Sequence, residues 1–167
     1  MSTAITRSRW THLLNRWPTA VAIALTLLTL DGEVNASAVE GYGEVLLLLA
    51  WPYVIGAQLD NRRAAWPLLA VGMTLVVALR IVNVVPVWVV LTSAGGVLLL
   101  WGVASGRLRT SGTLRLQSLG LVGLAALSLV SLAVGPDVGV YLVAAGWFLH
   151  GIWDFVHLRL DKVVVRS

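Results

Sequence analysis

The stretch VPVWVVLTSAGGVLLLWGVA, residues 85–104, runs for twenty residues without a charged side chain. A helix needs about 20 mostly apolar residues to cross the hydrocarbon core of a bilayer. The whole chain of 167 residues is 58% hydrophobic and only 12% charged, about half the charged share of a typical soluble domain. Because no soluble core of this size needs so much Leu, Val and Ala, the composition indicates a membrane protein.

Six apolar segments of this kind account for most of the chain. They lie at about 17–36, 40–59, 64–83, 85–104, 114–134 and 138–158. Backbone amides in lipid must find partners within their own segment, so these segments are helices rather than strands. Pro52, inside the second segment, predicts a kink there. The pairs Trp17-Pro18 and Trp66-Pro67 each open an odd-numbered segment, which fits an all-α, polytopic protein with six transmembrane helices in three hairpins.

Basic residues mark one side of this predicted bundle. Eleven of the twelve lysine and arginine residues fall on the side of the chain termini, and Arg80 alone falls on the other. By the positive-inside rule both termini are cytoplasmic, and we expect a multi-pass protein of the bacterial cell (inner) membrane. The net charge of +4 is thus an orientation signal, and we expect no nucleic-acid partner.

The N-terminus admits a second interpretation. A basic start, the apolar run TAVAIALTLLTL at 19–30 and the tripeptide at 36–38 imitate a secretory signal peptide. The stretch from Asp31 to Ala38 is long for a cleavage region, so we expect a retained first span, with cleavage as the alternative.

Three ionisable residues interrupt the last apolar segment. At 100° per residue, His150, Asp154 and His157 fall within about 60° of one another, so they share one helix face. Ionisable side chains within a membrane almost always face the bundle interior. An aspartate between two histidines can fix the tautomer of an imidazole and leave its other nitrogen for a substrate, water or metal. These three are therefore the candidate catalytic residues and a candidate ligand set for a single metal ion.

Depth decides which other polar side chains can join this cluster. At 1.5 Å per residue, Asp154 lies about 26 Å inward from Asp137, near the cytoplasmic side. The second segment runs in the same direction and ends with Gln58, Asp60 and Asn61. We predict that these residues give polar support, that Gln58 or Asn61 lines one inward-facing cavity with the cluster, and that Asp154 hydrogen-bonds at least one imidazole.

An ion pair is predicted on the opposite side. Arg80 is the lone cation there, and Asp31 and Glu44 are acids at similar depth. Pairing lowers the cost of placing both charges in the membrane. We therefore predict an outer cluster of Asp31, Glu44 and Arg80, with Asp31 or Glu44 as the direct partner of the arginine.

The pattern H-x-x-W-D-x-x-H, here His150, Trp153, Asp154 and His157, is followed by basic residues. It resembles the ending of small, multi-span bacterial integral membrane proteins of unknown function. The likeness is confined to the last segment. It implies that the cluster recurs among such proteins, and it brings no activity with it.

Three classes of function stay open for this single domain, residues 1–167: a structural or assembly subunit, a proton-coupled carrier, and an enzyme on a lipid or isoprenoid substrate. The chain has no cysteine, which excludes thiolate chemistry, and we expect no cofactor other than, at most, one metal ion. We favour a structural cluster in a protein without enzymatic activity, whose partners are the bilayer and a second copy or another membrane protein. The alternative is an intramembrane enzyme or proton-coupled carrier that acts on a lipid-like or small substrate through His150, Asp154 and His157.

Overall fold

The computed structural model of the protein describes residues 35–61 and 64–160, without the side chains of 158–160. The regular elements of these ranges are α-helices. They are α1 (Ala36–Leu49), α2 (Trp51–Leu59), α3 (Ala65–Val82), α4 (Val87–Ala104), α5 (Arg107–Thr110), α6 (Gly112–Ala133) and α7 (Pro136–Leu160). The first predicted span, at 17–36, lies almost wholly outside the described residues.

Five of the described segments are long and apolar enough to cross a membrane. α1 and α2 together make one of them, Ala36–Leu59, and α3, α4, α6 and most of α7 make the other four. The part of the chain that the structure describes is therefore all-helical and of membrane type. The second span starts four residues before the predicted boundary because Asn35 caps it, its side chain accepting a hydrogen bond from the Ala38 amide at 2.9 Å.

The kink predicted from Pro52 is present as a break in the second span. The helix is interrupted at Ala50, between α1 and α2. Proline lacks an amide hydrogen, and its ring clashes with the carbonyl four residues earlier. The first turn of a helix tolerates proline because no intrahelical bond is lost there, and Pro52 occupies that turn of α2.

This interrupted span lies at the centre of the described bundle. It contacts α3, α4, α6 and α7, and half of its apolar stretch is buried, against 11% for α3. One core cluster, on the α3 and α4 side, is formed by Leu47, Leu48, Val76, Val87 and Leu91. A second, on the α6 side, is formed by Ala50, Val54, Ala57, Leu114 and Leu121.

Two glycines let α7 approach its neighbours closely. A Cβ atom on Gly146 would collide with Leu46 of α1. One on Gly139 would collide with the carbonyl oxygen of Ser131 in α6 and would also meet Val39 of α1. Small residues at such crossings allow helix backbones to pack directly on each other. α7 is thereby seated against both α1 and α6.

The two ends of the bundle differ in charge. The end that holds the connections α2–α3 and α4–α6 carries Arg107, Arg109 and Arg115, and we call it the basic end. The opposite end carries Glu40, Glu44 and Asp137, and we call it the acidic end.

Candidate functional site

Polar side chains from three helices meet near the basic end, and we call this set the Tyr53 cluster. Its members are Tyr53 of α2, Gln117 of α6, and His150, Trp153, Asp154 and His157 of α7. At 1.5 Å per residue, Tyr53, Gln117 and Asp154 each lie about 24–27 Å from the acidic end of their own span. Because the three helices reach the same depth there, their side chains can bond to one another.

The ring of Tyr53 lies close to both histidine rings of α7. The ring centroids are 6.1 Å from His150 and 5.9 Å from His157. The Tyr53 hydroxyl donates a hydrogen bond to Asp154 Oδ1 at 2.5 Å, a length typical of a hydroxyl bonded to a carboxylate. This bond joins α2 to α7.

Both ring nitrogens of His157 have protein partners. Nδ1 lies 2.7 Å from the Trp153 carbonyl oxygen, and since a carbonyl only accepts, Nδ1 carries the proton. Nε2 is then an acceptor, and the Gln117 amide donates to it across 2.8 Å. The Trp153 indole donates to Gln117 Oε1 at 3.3 Å, which holds the amide in this orientation. His157, 3% exposed, is thus fully bonded as the Nδ1–H tautomer.

His150 differs from His157 in having one ring nitrogen without a partner. Its Nε2 faces Asp154 Oδ2 at 3.5 Å, longer than the usual length of a hydrogen bond. Its Nδ1 is buried with no hydrogen-bond partner among the protein atoms. The Asp154 side chain is 47% exposed. The hydrogen bond predicted between Asp154 and an imidazole is therefore not formed, and the short bond of that carboxylate goes to Tyr53 instead.

A small cavity of ≈ 10 Å³, partly open to its surroundings, lies among the residues of the cluster. Its walls are Tyr53, Gln117, His150 and Trp153 on the polar side and Ala50, Gly120, Leu121 and Leu124 on the apolar side. A Cβ atom on Gly120 would lie 3.2 Å from the Trp153 ring, so this glycine makes room for the indole. Of the three predicted residues, His150 lines the cavity, whereas Asp154 and His157 do not.

The prediction that Gln58 or Asn61 lines the cavity is wrong. Gln58 Nε2 donates instead to Ser105 Oγ at 2.9 Å. Gln58 has the right depth, but it lies about 140° around the helix from Tyr53 and so faces another neighbour. Asp60 and Asn61 follow the end of α2, where Asp60 has a left-handed φ of 52°, and both residues are exposed.

The predicted set of metal ligands, His150, Asp154 and His157, is not assembled. The Tyr53 ring packs against both imidazoles, and both nitrogens of His157 are bonded to protein groups. Two histidines seven residues apart on one helix are about 10 Å apart along its axis. Within residues 35–61 and 64–160, no three His, Asp or Glu side chains are placed to hold a metal ion.

An ion pair lies near the acidic end. Arg80 Nε and Nη2 both donate to Glu44 Oε2, at 3.1 Å and 2.5 Å. Glu44 is 2% exposed and the Arg80 side chain is 47% exposed. The backbone amide of Trp88, in the first turn of α4, also faces this carboxylate. Glu44 thus joins α1 to α3 and α4, whereas Asp31, the other predicted partner of Arg80, lies outside the described residues.

The pattern H-x-x-W-D-x-x-H divides between two neighbouring helices. Asp154 bonds to Tyr53 of α2, whereas Trp153 and His157 bond to Gln117 of α6. The spacing therefore serves contacts on both sides of α7. In comparisons with known proteins, no family model, no curated protein and no solved structure matches this chain.

Proposed function

We propose that the protein is a structural or assembly subunit of the membrane, in which the Tyr53 cluster locks three spans together. The bonding of His157 is the observation that carries this proposal. A catalytic or transport site keeps a donor or acceptor open to its substrate. His157 has neither, because Gln117 and the Trp153 carbonyl occupy both of its ring nitrogens. The one unpartnered nitrogen of the histidine pair, His150 Nδ1, is buried.

The size of the cavity supports the same function. Sites for small molecules usually have volumes of about 300–1,000 Å³, whereas the space inside the cluster is ≈ 10 Å³. A lipid or isoprenoid chain does not fit into this space. The side chains around it are consistent with a packed junction between helices.

The strength of the bonds also fits a lock. Three hydrogen bonds cross between helices, from Tyr53 to Asp154, from Gln117 to His157 and from Trp153 to Gln117. Interhelical bonds in membrane proteins contribute about 0.6 kcal/mol on average and about 1.7 kcal/mol at most, so the three stabilise the bundle by about 2 kcal/mol, with an upper bound of roughly 5 kcal/mol. Total stabilities of about 5–15 kcal/mol are typical, so this contribution is a substantial part.

A double-mutant cycle tests the lock. Tyr53→Phe should lower the free energy of unfolding in mild detergent by about 1 kcal/mol, because the carboxylate of Asp154 loses its short hydrogen bond. Asp154→Ala, which removes the acceptor, should have a similar cost, and the double variant should cost less than the sum of the two. Tyr141→Phe is the matched control, since Tyr141 is 75% exposed, and it should leave stability unchanged. Strictly additive losses would show that the two groups do not interact.

A proton-coupled carrier or an intramembrane enzyme is the second candidate function, and the exposure of Asp154 favours it. A carboxylate that is 47% exposed beside the His150 imidazole can exchange protons with its surroundings. Proton flux into proteoliposomes under an imposed potential is the test. A carrier should show flux that Asp154→Asn abolishes without loss of folded protein, whereas a structural lock should show no flux even in the wild type.

The proposal extends to topology and location. We propose six spans in three hairpins, with both termini cytoplasmic, in a bacterial inner membrane. Extensive packing between α6 and α7 supports one such hairpin, and the gathering of Arg107, Arg109 and Arg115 at one end supports the orientation. The resemblance of the last helix to small bacterial membrane proteins supports the location. The exposed apolar face of α3, 11% buried, suits lipid or a second copy of the chain.

A further inference from the structure

We infer that the cavity beside His150 binds one water molecule, which completes the hydrogen bonding of that imidazole. A buried water needs about 10–15 Å³ and two to four polar partners, and this cavity has a volume of ≈ 10 Å³ and a polar wall. His150 is 8% exposed, and its Nδ1 has no partner in the protein. Since buried polar groups are nearly always hydrogen-bonded, the ligand of this site is water.

The neighbouring bonds determine how the water is held. His150 Nε2 lies 3.5 Å from Asp154 Oδ2. At this distance the negative carboxylate favours the tautomer with its proton on Nε2, which leaves Nδ1 as an acceptor. A water therefore donates one hydrogen to Nδ1. Gln117 Oε1 accepts from the Trp153 indole and has a second lone pair for the other hydrogen. The Tyr53 hydroxyl, which donates to Asp154, completes the polar wall.

The opposite wall of the cavity is apolar and offers the water no hydrogen bond. It is formed by Ala50, Gly120, Leu121 and Leu124, whose side chains offer no hydrogen bond. The water consequently lies against the polar side, between His150 and Gln117. It joins α7 to α6 at a point where the protein atoms alone make no bond.

This water extends the cluster into one string of polar groups. The string runs from the half-exposed carboxylate of Asp154 through His150, the water and Gln117 to His157. An amide neither takes up nor releases a proton readily, so a proton passed along this string would stop at Gln117 and would not reach His157. The proposed water site does not depend on whether the cluster is a structural lock or a proton-handling site. Its test is therefore independent of the tests of those two functions.

Water-edited solid-state NMR can detect the site directly. The full-length protein would be labelled with ¹⁵N-histidine and reconstituted in liposomes, and magnetisation transfer from water protons to the imidazole nitrogens would be measured. We expect transfer to His150 Nδ1 to build up several-fold faster than transfer to His157, whose nitrogens are bonded to protein groups. Loss of the fast-building signal in the His150→Gln variant would assign that signal to His150. Equal build-up at the two histidines would overturn the inference.

A cavity-filling variant separates the bound water from bulk water that reaches Asp154. Ala50→Val adds two methyl groups at the apolar wall and leaves the carboxylate where it is. Transfer to His150 should fall to the rate seen for His157, and unchanged transfer would count against the site. If this variant does not fold, an experimental structure of the wild type that shows ordered water decides the question. A density peak within hydrogen-bond distance of His150 Nδ1 supports the inference, and an empty cavity contradicts it.

Discussion

Removing Arg80 should destabilise the protein more than removing the whole ion pair to which it belongs. Glu44 is 2% exposed, and its carboxylate accepts two hydrogen bonds from the guanidinium. In Arg80→Leu this carboxylate stays buried and loses its counter-charge. In the double variant, Arg80→Leu with Glu44→Leu, neither charge remains, and two apolar side chains lie between α1 and α3.

The structure sets the expected magnitude. Removing one partner of a buried ion pair costs about 3–5 kcal/mol. The Arg80 side chain is 47% exposed, so screening places the loss near the lower end, at about 3 kcal/mol. For a protein of this length, 1 kcal/mol corresponds to about 2–4 °C in Tm, so Arg80→Leu should lower Tm by roughly 6–12 °C. The double variant should fall within about 1 kcal/mol of the wild type, since apolar replacement of such pairs is often neutral.

Thermal unfolding in mild detergent, followed by circular dichroism, measures these differences. The single variant Glu44→Leu completes the cycle, and its cost should be smaller than that of Arg80→Leu because a half-exposed arginine can extend its side chain toward water. Arg109→Leu is the matched control, since Arg109 is exposed at the basic end and its loss should shift Tm by about 1 °C or less.

Additivity would refute this reasoning. If the double variant loses as much stability as the two single variants together, the charges do not depend on each other and the pair contributes nothing. A double variant that is more stable than Arg80→Leu supports the pairing, because the second substitution then removes the stranded carboxylate.

Two further predictions concern the close crossing of α6 and α7 and the orientation of the bundle. A Cβ atom on Gly139 would collide with the carbonyl oxygen of Ser131, so Gly139→Ala should cost about 1–3 kcal/mol in thermal unfolding, whereas Gly123→Ala, with open space around it, should cost nothing. Equal stability of the two variants would contradict the crossing. Reporter fusions after Gly112 should give a cytoplasmic signal and those after Pro136 an external one, and the reverse pattern would overturn the orientation.

The spans were largely predictable from the sequence because bilayer thickness sets their length. Twenty apolar residues in a row leave few alternatives to a helix in lipid, and the described spans agree with the predicted ones to within about four residues at each end. The ends were less predictable because local capping decides them. Asn35 caps α1. Asparagine is also common in turns and loops, so the residue alone does not show that a helix begins there.

The sequence predicted how deep in the membrane the residues of the candidate site lie, but not which neighbouring helix each side chain faces. Counting residues along a helix places Gln58 and Asp154 at similar depth. This estimate of depth does not depend on how neighbouring helices pack. Which way a side chain faces depends on how the helices rotate against each other, and contacts such as Gly146 on Leu46 set that rotation. Tyr53 and Gln117 could have been found by the same depth argument, since each is a polar residue in an apolar span at the level of Asp154.

The central span is held by a polar junction near each of its ends. Glu44 bonds to Arg80 at the acidic end, and Tyr53 bonds to Asp154 at the basic end, nine residues or about 13.5 Å further along. The residues between them read VLLLLAWP, without an ionisable or hydroxyl side chain. A carrier needs a polar path from one side to the other, whereas a structural subunit needs its helices fixed at both ends. The span formed by α1 and α2 contacts all the other described spans. Its two polar junctions, with an apolar stretch between them, match what a structural subunit needs.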